Sequence, residues 1–237
     1  MGRAKGIKVK VIPSKLANKF VKTYHYSGKV VQNSSLHFGC FLDGALHGVM
    51  SYGSPLDKRK VLPLVHTEKG EPCLWNEMLE LNRMAFDDIL PRNSESRCIA
   101  ISFRLLKKHA PHIKWILSYS DGVDCGDGQI YRASGFSLTL IKKNSDIFIL
   151  PNGEKIHSMT IKSSKAKISK YGSFKNWLNS EHPGWHSAIG YQLRYIKILD
   201  KSCSLTVPEI PFSKIDEIGA GMYKGEKITV EERKTSA

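Results

Sequence analysis

The sequence lacks most marks of a secreted, metal-clustered or membrane protein. Cysteine is sparse. The five residues Cys40, Cys73, Cys98, Cys125 and Cys203 are odd in number, and no C-x-x-C pair occurs among them. A disulfide scaffold or a zinc ribbon is therefore not expected, and a reducing compartment is. No apolar run approaches the roughly 18 residues of a membrane span. No apolar segment follows Arg3, Lys5, Lys8 and Lys10, so a signal peptide is not expected either. Internal repeats and low-complexity stretches are missing. Acidic residues are scarce as well: 22 Asp plus Glu stand against 36 Lys plus Arg, a formal net charge of +14. That excess predicts a polyanionic partner, because cations that neutralise phosphates release condensed counterions. A solvated basic surface is the alternative reading. The 237 residues suit one large domain or two small ones, with enough chain to bury a core unaided.

What is present reads as alternating strands and helices. Ile7 to Ile12 alternates like a strand, and Pro13 with Ser14 opens a helix running to Tyr24. Asp43-Gly44 between two apolar runs predicts a hairpin. Leu79 to Phe86 reads as a strand with Leu79, Leu81 and Arg83 on one side and Glu80, Asn82 and Met84 on the other. Asn93 and Ser94 offer an N-cap to a helix ending before Pro111. Ile113 to Ser120 is a further strand, Gln129 to Ser134 a short helix closed by Gly135, and Phe136 to Ile141 a strand. Asn152-Gly153 marks a second hairpin, and Tyr191 to Leu199 a late strand. The tail after Pro208 reads as irregular, frayed at Glu231, Glu232, Arg233 and Lys234. The order predicts an α/β fold of the α+β kind: a mixed, mostly antiparallel central sheet with flanking helices. Residues 1–150 form the expected core. Residues 151–237 form a basic extension completing the sheet within the same compact domain.

The chemistry concentrates between Leu79 and Phe136. A strand leads into the helix at Asn93-Ser94-Glu95-Ser96-Arg97, whose free N–H groups, dipole and arginine together make an anion site. The next strand ends at Asp121, and Tyr131 stands four residues before Gly135-Phe136. This outline resembles the GNAT acyltransferases. The resemblance implies a pantetheine arm paired with the fourth strand, a pyrophosphate on the following helix, and a tyrosine that protonates the departing thiolate. The usual Gly-x-Gly of the pyrophosphate loop is replaced here by Ser94 and Ser96.

A closer resemblance is to the Mom family of Mu-like bacteriophages. It rests on Glu80-Leu81-Asn82-Arg83-Met84-Ala85-Phe86, Leu90 to Arg97, Lys114-Trp115-Ile116, Ser118 to Gly122, Gly128 to Tyr131, and Ala133 to Phe136. It runs from about Lys22 to about Tyr223. The resemblance implies a GNAT-like fold and conversion of adenine in double-stranded DNA to an N6-carbamoylmethyl or methylcarbamoyl derivative, which shields phage DNA from host restriction in the host cytoplasm. It also implies acetyl-CoA as cofactor, iron as a further one, and Arg83, Asp121 and Tyr131 as essential positions. Asn93, Ser94, Ser96 and Arg97 are the expected cofactor contacts.

Taken residue by residue, alternatives remain. The adenine amine is a poor nucleophile, and Asp121 at a strand end is a fitting general base, unless Asp121-Gly122 is only a turn. Arg83 in an apolar strand meets a carboxylate such as Glu80 or Asp121, binds substrate or cofactor phosphate, or faces outward. Tyr131 is either a proton donor or a packing residue. Acetyl transfer alone cannot supply the product's additional nitrogen, which makes a metal attractive; His25 and Tyr26, with Asp121 as a further ligand, are the candidates, unless the pair is a turn. Residues 151–200 hold eight Lys/Arg against three Asp/Glu. There Lys162, Lys165, Lys167 and Lys170 precede Tyr171, Phe174, Trp177 and Trp185, a pattern suited to phosphate contact and base stacking. Tyr24, Tyr26, Tyr52 and Trp75 are further stacking candidates for a flipped base. Two other readings stay open: an N-acetyltransferase for a protein or small amine, and a non-catalytic DNA-binding protein.

Overall fold

The computed structural model describes residues 3–223, 225–229 and 231–232, so Arg233 and Lys234 lie outside the described residues. The chain divides into two compact units, each assembled from three stretches. The first takes Met1–Ser120, Gly128–Leu140 and Arg194–Phe212; the second takes Asp121–Asp127, Ile141–Leu193 and Ser213–Ala237.

In chain order the elements are β1 (Lys8–Val11), α1 (Ser14–Tyr24), β2 (Ser34–Leu42), β3 (Ala45–Gly53), α2 (Lys58–Val61), β4 (Val65–Thr67), β5 (Met78–Phe86), α3 (Ser94–His109), β6 (Trp115–Asp121), α4 (Gln129–Ala133) and β7 (Ser137–Lys143). Then follow β8 (Ile147–Ile149), β9 (Lys155–His157), α5 (Ser158–Lys162), α6 (Lys165–Tyr171), α7 (Phe174–Glu181), β10 (His186–Ser187), β11 (Tyr191–Ile198), β12 (Cys203–Leu205), α8 (Ser213–Glu217), β13 (Met222–Tyr223) and β14 (Glu226–Lys227). The tail expected to be irregular thus carries a helical turn and two short strands.

A seven-stranded sheet runs in the order β1-β2-β3-β5-β6-β11-β7. The first four strands pair antiparallel, and β5 pairs parallel with β6. The β2–β3 hairpin turns where the sequence places it, with Asp43 and Gly44 both at positive φ (51° and 86°), as a two-residue turn matched to strand twist requires.

Each face of the sheet carries its own helices. On one, Ala17, Phe20 and Val21 of α1 bury against Val49 and Ala85. Along the same strands Met78, Trp115, Leu117 and Ile196 form an apolar cluster with Val65, Cys73 and Cys203 from around the β4–β12 ladder. On the other face, α3 turns Cys98, Ile99, Ser102, Phe103 and Leu106 inward, the apolar stripe of an amphipathic helix. The N-cap expected there is different: Asn93 holds φ 64° and makes no side-chain capping bond.

The second unit has a core of Phe148, Leu150, Ile161, Phe174, Trp177 and Leu178, under the small sheet β10-β8-β9. The β8–β9 hairpin is the one marked by Asn152-Gly153. Helices α5 to α7 carry the basic and aromatic residues of the 151–200 segment, for which the sequence predicted no helix. They are short, and each begins on a side chain that accepts a backbone N–H: His157, Ser164 and Ser173.

Candidate functional site

The site starts from one extra residue. Register along β3 and β5 runs Tyr52↔Leu81 and then Ser51↔Arg83, so Asn82 is a β-bulge. Successive side chains alternate across a strand, and a bulge breaks the alternation. Leu81 and Arg83, expected on one side, therefore stand on opposite faces. Arg83 joins Glu80, on the face that carries α1.

The parallel pairing of β5 with β6 is short. It covers Met78↔Trp115, Leu79↔Ile116 and Glu80↔Leu117. Beyond Glu80 the two strands part; the nearest link is the Ser118 hydroxyl, which donates to the Leu81 carbonyl at 2.9 Å. Among the described residues no strand pairing of β5 with β6 continues past Glu80, where the polar side chains gather. Tyr119 shares the face of Leu117, and Arg194 on β11 shares the face of Ile196. Glu80, Arg83, Tyr119 and Arg194 form one half-buried group at the parting.

The electrostatics of this group are uneven. Burial pushes the Glu80 carboxyl up to about 7 against the opposing pull of Arg83. Burial raises the Tyr119 phenol too, with the Glu80 charge adding to it and Arg194 opposing. Both guanidiniums are committed elsewhere. Arg83 donates from Nε to the Lys29 carbonyl (3.1 Å) and from Nη1 to the Asn82 carbonyl (2.9 Å). Arg194 donates to the Thr139 hydroxyl (2.9 Å) and carbonyl (3.2 Å).

His25 ends α1 beside this group. Burial, and then the nearby Arg83 charge, hold its imidazole down to about 4, so it is neutral at neutral pH. Its Nδ1 accepts the Ser27 N–H (3.2 Å) and lies 2.8 Å from the Ser27 hydroxyl, an ordinary turn. Its ring lies 4.3 Å from that of Tyr26. Among the described residues no group of three or more His, Cys, Asp or Glu side chains is placed to hold a metal. With Nδ1 occupied and a guanidinium close by, the His25–Tyr26 pair does not fit an iron site.

The opposite face holds the expected anion site and Tyr131. Ser94 is fully buried, and its hydroxyl donates to the Pro91 carbonyl. The Ser96 hydroxyl donates to the Asn93 carbonyl at 3.2 Å. Both serines thus serve the turn with their hydroxyls, leaving main-chain N–H groups and Arg97 for an anion. Arg97 Nε is buried without a hydrogen-bond partner, a costly state unless something accepts from it. Tyr131 on α4 is 8% exposed and packs between Phe136, edge-on at 5.3 Å, and Tyr195, tilted at 5.2 Å. Gly128 seats that helix: it caps α4 at φ 82°, and a Cβ there would come within 2.4 Å of the Tyr195 ring.

In the second unit Asp121 ends β6 and accepts the Val123 N–H on Oδ1 at 2.9 Å. Burial raises its carboxyl, opposed in part by that bond. It lines a polar concavity with Lys142, Asn144, Asp146, His157 and Gln192. The four lysines stand exposed on α5 and α6. Two already meet carboxylates, Lys162 at 3.9 Å from Asp146 and Lys170 at 3.7 Å from Glu181, and Lys167 lies 4.9 Å above the Trp177 ring. Phe174 and Trp177 are buried core residues, not stacking surfaces. Tyr52 is likewise core, its hydroxyl 2.6 Å from that of Ser102, whereas Tyr24 and Tyr26 are about half exposed.

The family described as the Mom protein family matches residues 6–214. The chain belongs to the Mom protein family. The Methylcarbamoylase mom of Escherichia phage Mu is 33% identical over 202 residues, covering 84% of this chain and 78% of that protein. Among solved structures, a Bacillus subtilis acetyltransferase in complex with CoA covers 81% of this chain and 98% of its own at 10% identity and a TM-score of 0.44. The ribosomal-protein-S18-alanine N-acetyltransferase of Escherichia coli covers 82% and 94% at 9% identity and 0.44. The Mom-like strings of the sequence fall on β5, the start of α3, the end of β6 and α4, the elements that border the parting and its two faces. Sequence reasoning did not single out Tyr119 or Arg194. Tyr119 sits inside a Mom-like string with no signal of its own, and Arg194 needs the sheet order to bring β11 beside β6.

Proposed function

We propose that this chain is a phage DNA-modifying transferase that attaches a carbamoylmethyl- or methylcarbamoyl-type group to N6 of adenine in double-stranded DNA, protecting phage DNA from restriction in the host cytoplasm. The observation that carries the reading is the 33% identity with the Mu methylcarbamoylase along 84% of the chain. The half-buried polar group at the parting of β5 and β6 supports it, since chemistry on a base needs a sheltered site with acid–base groups.

Arg83, Asp121 and Tyr131 are the proposed catalytic residues. Asp121, whose carboxyl is raised by burial, accepts a proton from the N6 amine at its free Oδ2. Tyr131 holds a phenolic proton against Tyr195 and Phe136 as the donor on the opposite face. Arg83 keeps a positive charge at the bulge for an anionic group of substrate or cofactor. Acetyl-CoA fits the residues present, and when bound it supplies an activated acyl carbon. The Asn93–Arg97 turn with its unpartnered Arg97 Nε would hold the pyrophosphate, and the open edge of β5 the amide-bearing arm. The exposed Lys162, Lys165, Lys167 and Lys170 contact the phosphates of DNA without reading sequence.

The deciding experiment is nucleoside mass spectrometry of DNA from cells expressing the chain. A mass-shifted deoxyadenosine is the expected result. Unmodified DNA alongside newly acetylated protein would instead favour an N-acetyltransferase, and DNA binding with neither product a non-catalytic binder.

A further inference from the structure

Among the described residues neither the Glu80 nor the Tyr119 side chain of the polar group makes a hydrogen bond, and Glu80 feels only the nearby charge of Arg83. The Glu80 carboxyl accepts no hydrogen bond from the described residues, while Arg83 and Arg194 each direct two N–H groups to oxygens of Lys29, Asn82 and Thr139. It sits on the last paired rung before β5 and β6 part, on the face where α1 ends. Arg83 stands on its own strand, Tyr119 on β6 and Arg194 on β11, with neutral His25 beyond Arg83. A half-buried carboxyl that no protein group bonds is open to a ligand that can complete it. A protonated carboxyl both donates and accepts. The Watson–Crick edge of adenine offers the complement, an acceptor at N1 beside a donor at N6, and flipped bases are read along that edge.

We propose that Glu80 binds the Watson–Crick edge of the extruded adenine, donating from one carboxyl oxygen to N1 and accepting the N6–H that lies beside it on the other. This rests on the DNA-adenine reading above. The contact transfers no atom. Because the Glu80 carboxyl titrates at about 7, the contact is strongest below neutrality and weakens as the group ionises and meets the N1 lone pair.

The test uses the full chain and duplexes carrying a single unpaired base, either adenine or 1-deazaadenine, which lacks the N1 acceptor. Binding is read by fluorescence anisotropy at pH 6 and pH 8.5. Wild type should prefer adenine by about tenfold at pH 6, the size of one good two-point base contact, and lose most of that preference at pH 8.5. Glu80→Gln, whose amide also donates and accepts, should keep the preference at both pH values. Glu80→Leu should lose it at both while melting as a folded protein. Equal binding of the two bases by wild type at pH 6, no binding of either duplex, or a preference that survives Glu80→Leu each overturns the proposal. Nucleoside analysis of cellular DNA separates the two failures. Modified deoxyadenosine without the base preference sinks only the role of Glu80; unmodified DNA sinks the reading beneath it.

Discussion

Glu80 and His25 pull the stability of the fold in opposite directions as pH changes. The folded-state value of Glu80 is raised, so its contribution is fully present below about 4.5 and is lost as pH rises through about 7. The value of His25 is depressed, so its contribution is present above 6.5 and is lost as pH falls towards about 4. Glu80→Gln should therefore raise the melting temperature at pH 8 relative to wild type and leave it nearly unchanged at pH 4. His25→Gln should do the converse, helping only in acid. Thermal melts across that range check both. Arg83→Lys keeps the charge but loses the fork that reaches Lys29 and Asn82 together. Those bonds belong to the fold, so losing one should destabilise by about 1.5–3 kcal/mol and lower the melting temperature, and the displaced charge should also reduce modification of cellular adenine.

At the scale of elements, α4 depends on a residue with no side chain. Gly128→Ala meets both the positive φ and the Tyr195 ring. It should destabilise by about 1–3 kcal/mol and reduce activity beyond that by shifting Tyr131; Gly153→Ala, whose Cβ meets nothing within 4 Å, controls for φ alone. The strands of the large sheet, its β2–β3 hairpin and α3 were legible because alternation, Asp-Gly and the apolar stripe each act over a few neighbouring residues. The bulge at Asn82 was not. It is defined by register against β3, which local sequence does not encode, and it moves Arg83 to the other face. Arg194 was hidden for the same reason, since its neighbours come from strand order. Helices α5 to α7 escaped because each is one or two turns long, too brief for a periodic helical signal.

Over the whole molecule, a formal charge of +14 should make DNA binding strongly salt-dependent. If the exposed lysines of α5 and α6 touch phosphates, replacing Lys162, Lys165, Lys167 and Lys170 by Gln should flatten the log–log salt slope by up to about 0.9 for each phosphate no longer neutralised. A slope equal to wild type would move the DNA surface elsewhere. The two lysines already beside Asp146 and Glu181 should contribute least. No helix among the described residues is long and apolar enough to cross a membrane.

The early parting of β5 from β6 has a pharmacological consequence. Unpaired amides and carbonyls along a strand do not discriminate between side chains, so any slender molecule with regularly spaced amides can zip onto them. Short peptidomimetics shaped like an extended strand would then dock on β5 and obstruct the polar group beside it, whatever the sequence of the DNA presented.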